Sequence, residues 1–372
     1  MVGAEVSAMS SDKMTPKSIR WVARTVVATM IAALIATVTA LAPASAESSV
    51  GPVFGVQFHG TWGNYTDAER AMVLDTLKAN GVETVRIDVS WRMLEPDKSG
   101  TFSAWGLAQV DNAIRMAAER GLKPLVTLWM APKWANGSND ERVPVTSAKG
   151  LKGLKSISQR LAARYAGVVD AWEFWNEPND NNFMRGADPK VYAKMLQYAY
   201  AGFKAGHSAT PVVFGGPSYV DDVWVGKALA AGARGKYDIM SVHPYMGVFD
   251  ESPLLPDNGT MWRMNHLPAL LAVMSKYGDG GKQIWFTEFG WRVNPTAPDA
   301  APWERGVTQA QQAEYLAQTI SLVRSTYPQV TRVYWYGDRV DSTDPANTGW
   351  GMVYPDGSVV PALAGLRSVL AG

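Results

Sequence analysis

Short runs of β-branched and aromatic residues alternate with longer amphipathic segments from position 53 to the end of the chain, and few folds accommodate that rhythm. Strand-like runs fall at 53–58, 82–89, 124–129, 171–175, 211–215, 238–243, 283–288 and 331–336. Helical segments follow most of them, at 67–80, 105–120, 151–165, 191–205, 267–277, 308–326 and 361–370. The first two helical segments stop at Gly81 and Gly121, the residue type that allows the left-handed turn at a helix end. Eight strands, most with a helix behind them, predict a single-domain α/β fold, the (β/α)8 TIM barrel. A doubly wound open sheet is the alternative. It would bring fewer repeats and a phosphate-binding glycine loop, and no G-x-G-x-x-G follows the first strand.

Composition allows this and excludes other classes. The 372 residues are 47% hydrophobic, enough for one large barrel or two ordinary domains. No linker, low-complexity tract or repeat appears after a short polar stretch at 47–51. A formal net charge of +1 gives no support to nucleic-acid binding, which leans on clustered lysine and arginine. The chain carries 15 Trp and 14 Tyr, many more rings than an aliphatic core needs. Sugar clefts are one natural place for them, because the C–H face of a sugar stacks on a ring.

The first 46 residues read as an export signal. Lys13, Lys17, Arg20 and Arg24 precede an uncharged apolar stretch at 25–42, and Ala44-Ser45-Ala46 has the small-x-small pattern of a cleavage site. A secreted mature chain of residues 47–372 is the expectation. An uncleaved membrane anchor is the alternative, because residues 26–46 come close to spanning length. There is no cysteine, so disulfides cannot assist an exported fold and the core must stabilise it alone.

Two of the strand-like runs end on a glutamate among aromatic rings. One closes in Trp175-Asn176-Glu177-Pro178, the other in Thr287-Glu288-Phe289-Gly290-Trp291. Active sites of such barrels lie at the C-terminal strand ends. A carboxyl pair there suits glycoside hydrolysis, in which one group donates a proton while the other stays ionised. Either glutamate taken alone could be a solvated loop carboxylate or an ion-pair partner. Glu173 sits roughly 13 Å deeper along its strand than Glu177 at ordinary strand rise, which suits a barrel-interior partner.

These motifs resemble clan A of the retaining glycoside hydrolases. Trp175-Asn176-Glu177-Pro178-Asn179 and Pro132-x-Trp134-Ala135 are similar to family 39 and related bacterial polysaccharide glycosidases, with family 5 as the near alternative. The resemblance implies that Glu177 is the acid/base, Glu288 the nucleophile and Asn176 a partner of the sugar 2-hydroxyl. Arg86 matches the strand-two arginine of that clan; an ordinary ion pair with Asp88 or Glu83 is its plainer reading. His243 and Tyr245 stand where the clan often has His and Tyr, with Tyr245 able to donate to Glu288. His59 follows the first strand, as a sugar contact or a structural histidine. Trp129, Trp134, Trp291 and Trp335 are candidate sugar platforms, with core packing as the alternative for each. Trp62, Trp91, Trp303 and Trp350 lie in loops that could rim a cleft.

The expected activity is a retaining β-glycosidase that cleaves within the chain of a polysaccharide or glycoconjugate. It would work as a monomer, without cofactor or metal. An exo-β-glycosidase of β-xylosidase type is the alternative for its mode of action. A metal hydrolase built on His59 and His243 is a further class, but the 4 His include no H-x-H or H-E-x-x-H arrangement. A carbohydrate-binding barrel without activity is another, and it would have no need of both glutamates.

Overall fold

The computed structural model describes residues 51–294, 299–340 and 349–372. The export segment at 1–46 lies outside them. Among the described residues, no helix is long and apolar enough to cross a membrane.

The eight strands are β1 (Val53–Gln57), β2 (Thr84–Ser90), β3 (Lys123–Trp129), β4 (Ala171–Phe174), β5 (Val212–Phe214), β6 (Met240–Val242), β7 (Ile284–Phe289) and β8 (Val330–Trp335). They form one sheet in the order β5-β4-β3-β2-β1-β8-β7-β6, every named pair parallel. The ring is joined between β5 and β6 by a parallel bridge from Val213 to Ile239, where Phe214 N donates to Ile239 O at 2.9 Å. This is the (β/α)8 barrel that the alternation predicts.

The helices are α1 (Asp67–Ala79), α2 (Ala104–Glu119), α3 (Ala148–Arg164), α4 (Pro189–Gly206), α5 (Asp222–Ala228), α6 (Leu267–Lys276), α7 (Gln309–Thr326) and α8 (Leu366–Ala371). Their starts are written locally. Thr66 and Glu69 form a reciprocal cap on α1, and Thr308 and Gln311 do so on α7. Asp188 caps α4, with Pro189 in the first turn. Gly81 and Gly121 take φ of 97° and 67° just past their helices. Two local departures from the sequence reading stand out. The short α5, capped by Asp221, was not visible as a helix, since seven residues carry too little periodicity. The last segment breaks at Gly365 into one turn at Pro361–Ala364 and then α8.

Side chains inside the barrel are layered, as strand alternation requires. At the bottom, Leu125, Ala171, Val213, Ile239, Trp285 and Tyr334 form a separate buried apolar plug. Above it sits a polar layer with Gln57, Arg86, Thr127, Glu173, Ser241 and Thr287, all buried. The outer faces of the strands pack the helices in one large apolar core. The plug closes the barrel from below, so the polar layer is a floor for whatever lies at the strand ends.

Candidate active site

Arg86 organises the floor. Its Nε donates to Glu173 Oε2 at 2.6 Å, and its Nη1 donates to Gln57 Oε1 at 2.8 Å and to Glu288 Oε1 at 2.5 Å. Its Nη2 donates to Asn176 Oδ1 at 2.8 Å. Burial alone would weaken this guanidinium's hold on its proton, but the charges of Glu173 and Glu288 raise its pKa above the ordinary value. Asp88 and Glu83, the partners a sequence-level ion pair would use, are not those it bonds. Glu173 lies one layer beneath the site, as its depth along β4 implies. It also accepts from Thr127 Oγ1 at 2.6 Å, and Arg86 with these donors keeps it below the usual carboxylate range despite complete burial.

The segment after β4 leaves the sheet through strained backbone. Trp175 and Glu177 have φ of 69° and 43°, in a region that side chains rarely adopt. Neighbouring strands hold them there: Trp175 N donates to Leu128 O and Glu177 N to Gly216 O, each at 3.0 Å. Asn179 latches the next loop, accepting from Ser218 N at 2.8 Å and donating to Asp221 Oδ2 at 3.0 Å. The consequence is that Asn176 turns down to Arg86 while Glu177 faces the cavity. Glu288 arrives from the other side through an irregularity in β7. The register against β8 shifts between Phe286 and Phe289, which lets Thr287 and Glu288 both face inward.

The two carboxyl groups meet there. An oxygen of Glu177 lies within 4.8 Å of an oxygen of Glu288. His243 sits between them, its Nδ1 at 2.9 Å from Glu177 Oε1 and 3.7 Å from Glu288 Oε2. Its Nε2 is 3.1 Å from Thr287 Oγ1. Tyr245 donates its hydroxyl to Glu288 Oε2 at 3.0 Å. Burial pushes the Glu177 carboxyl up to about 7, a Ser218 hydrogen bond opposing and the Asp180 charge assisting. Burial also raises Glu288, against the pull of His243 and Arg86. Burial lowers His243, favouring the neutral imidazole. Glu177 can therefore hold a proton near neutrality, while Glu288 has a guanidinium and a phenol donating to its charged form.

Glu177, His243 and Glu288 also have the spacing of a metal site. Arg86 suits a different use: it already supplies positive charge to Glu288 Oε1, where a dication would have to compete with it. His59 is not part of that group. It is tied to Asp338, Nδ1 to Oδ1 at 2.9 Å, and that carboxylate lifts its pKa against the lowering effect of burial.

A cavity of about 760 Å³ opens over the pair. Of the candidate sugar contacts, His59, Asn176, Tyr245 and Trp129 line it, with Glu177 and Glu288, as do Trp62 and Trp350 from the loops. Arg86 and His243 lie just beneath. Three candidate platforms stand elsewhere. Trp335 is wholly buried on the outer face of β8, against Phe289 and Trp291. Trp291 is buried and donates to Glu251 O at 2.9 Å. Trp134 packs edge-on against buried Trp91 and donates to Glu95 O at 2.7 Å. Exposed Trp303 does not line the cavity either. Lining residues not foreseen include Asp88, Trp105, Asp180, Phe183, Ser218, Tyr219, Phe249 and Tyr336. Strand parity could have found Tyr336, since it alternates with Trp335. Trp105 opens α2 and carries no such signal.

The cellulase model, glycosyl hydrolase family 5, matches residues 44–330. No curated protein sequence matches significantly. Similar solved structures include a family 39 glycoside hydrolase from Bacteroides cellulosilyticus, with TM-score 0.68 and 22% identity over 87% of this chain. This chain spans 64% of that protein's length. A monomeric β-xylosidase from Caulobacter crescentus has TM-score 0.61 and 18% identity over 84% of this chain and 67% of its own. A family 5 subfamily 18 enzyme from Streptomyces cattleya, in complex with Manβ1-4GlcNAc, has TM-score 0.64 and 18% identity over 86% of this chain and 80% of its own. At such identities these structures speak for the fold. The family model covers well over half the chain, and with it strands β1 to β7, the strand-four glutamate and the strand-seven glutamate: the chain belongs to glycosyl hydrolase family 5, in clan A of the glycoside hydrolases.

Proposed function

We propose that this protein is an exported, retaining β-glycosidase that cleaves within a polysaccharide chain. The observation that carries this reading is the closeness of the two carboxyl groups, with oxygens within 4.8 Å, and their unequal surroundings. Retaining enzymes keep these groups about 5–5.5 Å apart, and inverting enzymes leave about 6.5–9.5 Å for a water between them.

In the first step Glu288 attacks the anomeric carbon and the glycosidic C–O bond breaks. Glu177 gives its proton to the departing oxygen. In the second step water attacks the same carbon, Glu177 takes its proton, and the bond to Glu288 breaks. Arg86 and Tyr245 donate to the charged form of Glu288 and aim it, and His243 orients Glu177. Arg86 occupies Asn176 Oδ1, which leaves the Asn176 amide hydrogens for a sugar hydroxyl. Rings carried by segments after several different strands line the cavity, Trp62, Trp105, Trp129, Phe249 and Trp350, and support more than one sugar subsite. The export half of the proposal rests on residues 1–46, and N-terminal sequencing of secreted protein should give a start near Glu47.

Substitution of each glutamate tests the mechanism. Glu288→Ala should leave little activity on any glycoside. Glu177→Ala should lose most activity on natural substrates but keep more on aryl glycosides, whose leaving groups need no proton, and azide should restore turnover. Full activity in either variant would refute the assignment.

A further inference from the structure

Asp88 lies two residues beyond Arg86 on β2, on the same face of the strand, and it is fixed from behind. Its Oδ2 accepts from Gln57 Nε2 at 3.0 Å, and its main-chain carbonyl accepts from the Thr61 hydroxyl at 2.7 Å. Its other oxygen, Oδ1, is buried and has no partner among the described residues. The other carboxylates that face the strand ends have donors: Arg86 and Tyr245 for Glu288, and Tyr65 for Asp338. A buried acceptor held rigidly and left unsatisfied is costly to a folded protein, and such groups call for an explanation. Asp88 lines the cavity together with Ser90, two residues further along the strand, Thr61 and the exposed Trp62 and Trp105.

The charge of the cavity adds a second observation. Asp88 and Asp180 line it beside Glu177, which can hold a proton near neutrality, and Glu288, whose charge Arg86 offsets from beneath; no lysine or arginine lines it among the described residues. Such a lining repels carboxylated or sulfated sugars and tolerates uncharged or cationic ones.

We propose that Asp88 is a substrate-contacting specificity residue: Oδ1 accepts a hydrogen bond from a hydroxyl or ammonium group of the bound sugar, and the acidic wall turns anionic sugars away. This rests on the glycosidase reading of the cavity. It goes beyond the catalytic pair, because it concerns which sugar sits there rather than how the bond breaks.

The test uses β-1,4-linked hexamers of glucose, mannose, xylose, glucosamine and mannuronic acid. Binding is measured by calorimetry on Glu288→Ala protein, and kcat and KM on protein with Glu288 intact. Asp88→Ala should weaken binding of the preferred neutral or amino hexamer at least about tenfold and raise KM more than it lowers kcat. Asp88→Asn keeps an acceptor oxygen. It should retain affinity if the donor is a hydroxyl, and lose about as much as Asp88→Ala if the donor is ammonium. Mannuronate should bind the parent least, and gain in Asp88→Asn. Urea midpoints close to the parent show that the variants are folded. The proposal is overturned if mannuronate binds the parent as well as the others, if no neutral or amino hexamer binds, or if Asp88→Ala leaves every affinity and KM unchanged. Failure of the mechanism looks different: Glu288→Ala would then stay active, whatever Asp88 does.

Discussion

At the scale of the residue, the site separates two glutamates by their neighbours. Glu288 faces donors and a fixed cation; Glu177 faces His243, Ser218 and apolar burial that lifts its carboxyl to about 7. Activity that needs protonated Glu177 should fall as pH rises through about 7, and Glu177→Gln should remove that alkaline limb from whatever activity remains on aryl glycosides. The same shift has a stability consequence. A carboxyl raised from 4.5 to about 7 on folding contributes nothing adverse below pH 4.5. As pH climbs from 4.5 to about 7 the unfolded chain gives up this proton while the folded one keeps it, and the cost levels off above 7 at about 3 kcal/mol. Glu177→Gln should therefore be more stable than the parent at pH 8 and nearly equal to it at pH 4, by urea unfolding. An equal gain at both pH values would contradict the raised pKa.

At the scale of the element, the strand ends place these groups by small irregularities. The register shift in β7 turns two consecutive residues inward, and the positive φ at Trp175 and Glu177 swings the Asn-Glu pair over the barrel mouth. Gly216, past the end of β5, leaves room for the imidazole. A Cβ there would meet His243 Nε2 at 2.5 Å and Thr287 Oγ1 at 2.8 Å. Gly216→Ala should cost about 1–3 kcal/mol of stability, as overpacking does. Its displacement of His243 from Glu177 should also lower kcat by tenfold or more, on the order expected for a misplaced catalytic group. A denaturant midpoint and kcat measured on the same preparation check this; an unchanged pair of values would mean that His243 does not position Glu177.

Much of this was readable from the chain, and the unread part has physical causes. The eight strands and their order follow from periodicity, because burial on both faces of a barrel strand forces β-branched and aromatic runs. The glutamates declared themselves by ending such runs. The tryptophans did not, because a ring at a strand end faces either the cavity or the helices, and one residue of register decides which. Trp129 faces in; Trp335 faces out, and Tyr336 takes the inward place. Trp134 was drawn to the rim by its loop position, yet a buried neighbour, Trp91, and a carbonyl of Glu95 hold it. The free oxygen of Asp88 is invisible in sequence, since only the fold shows that Arg86 prefers Glu173 and Glu288.

At the scale of the whole molecule, the barrel is a device for bringing two distant chain segments to one point above a plugged floor. If the rings that line the cavity serve successive sugar subsites, as proposed, kcat/KM should rise with oligomer length and the first products should span several lengths. Steady release of one monosaccharide at every length would instead mark an exo-acting enzyme. The central claim is the double displacement at Glu288, and the anomeric form of the first product tests it most directly. In a proton NMR time course on a β-linked substrate, the β-anomer should appear first and the α-anomer only later, by mutarotation. Appearance of the α-anomer first would mean inversion, and would contradict a mechanism built on two carboxyl groups this close together.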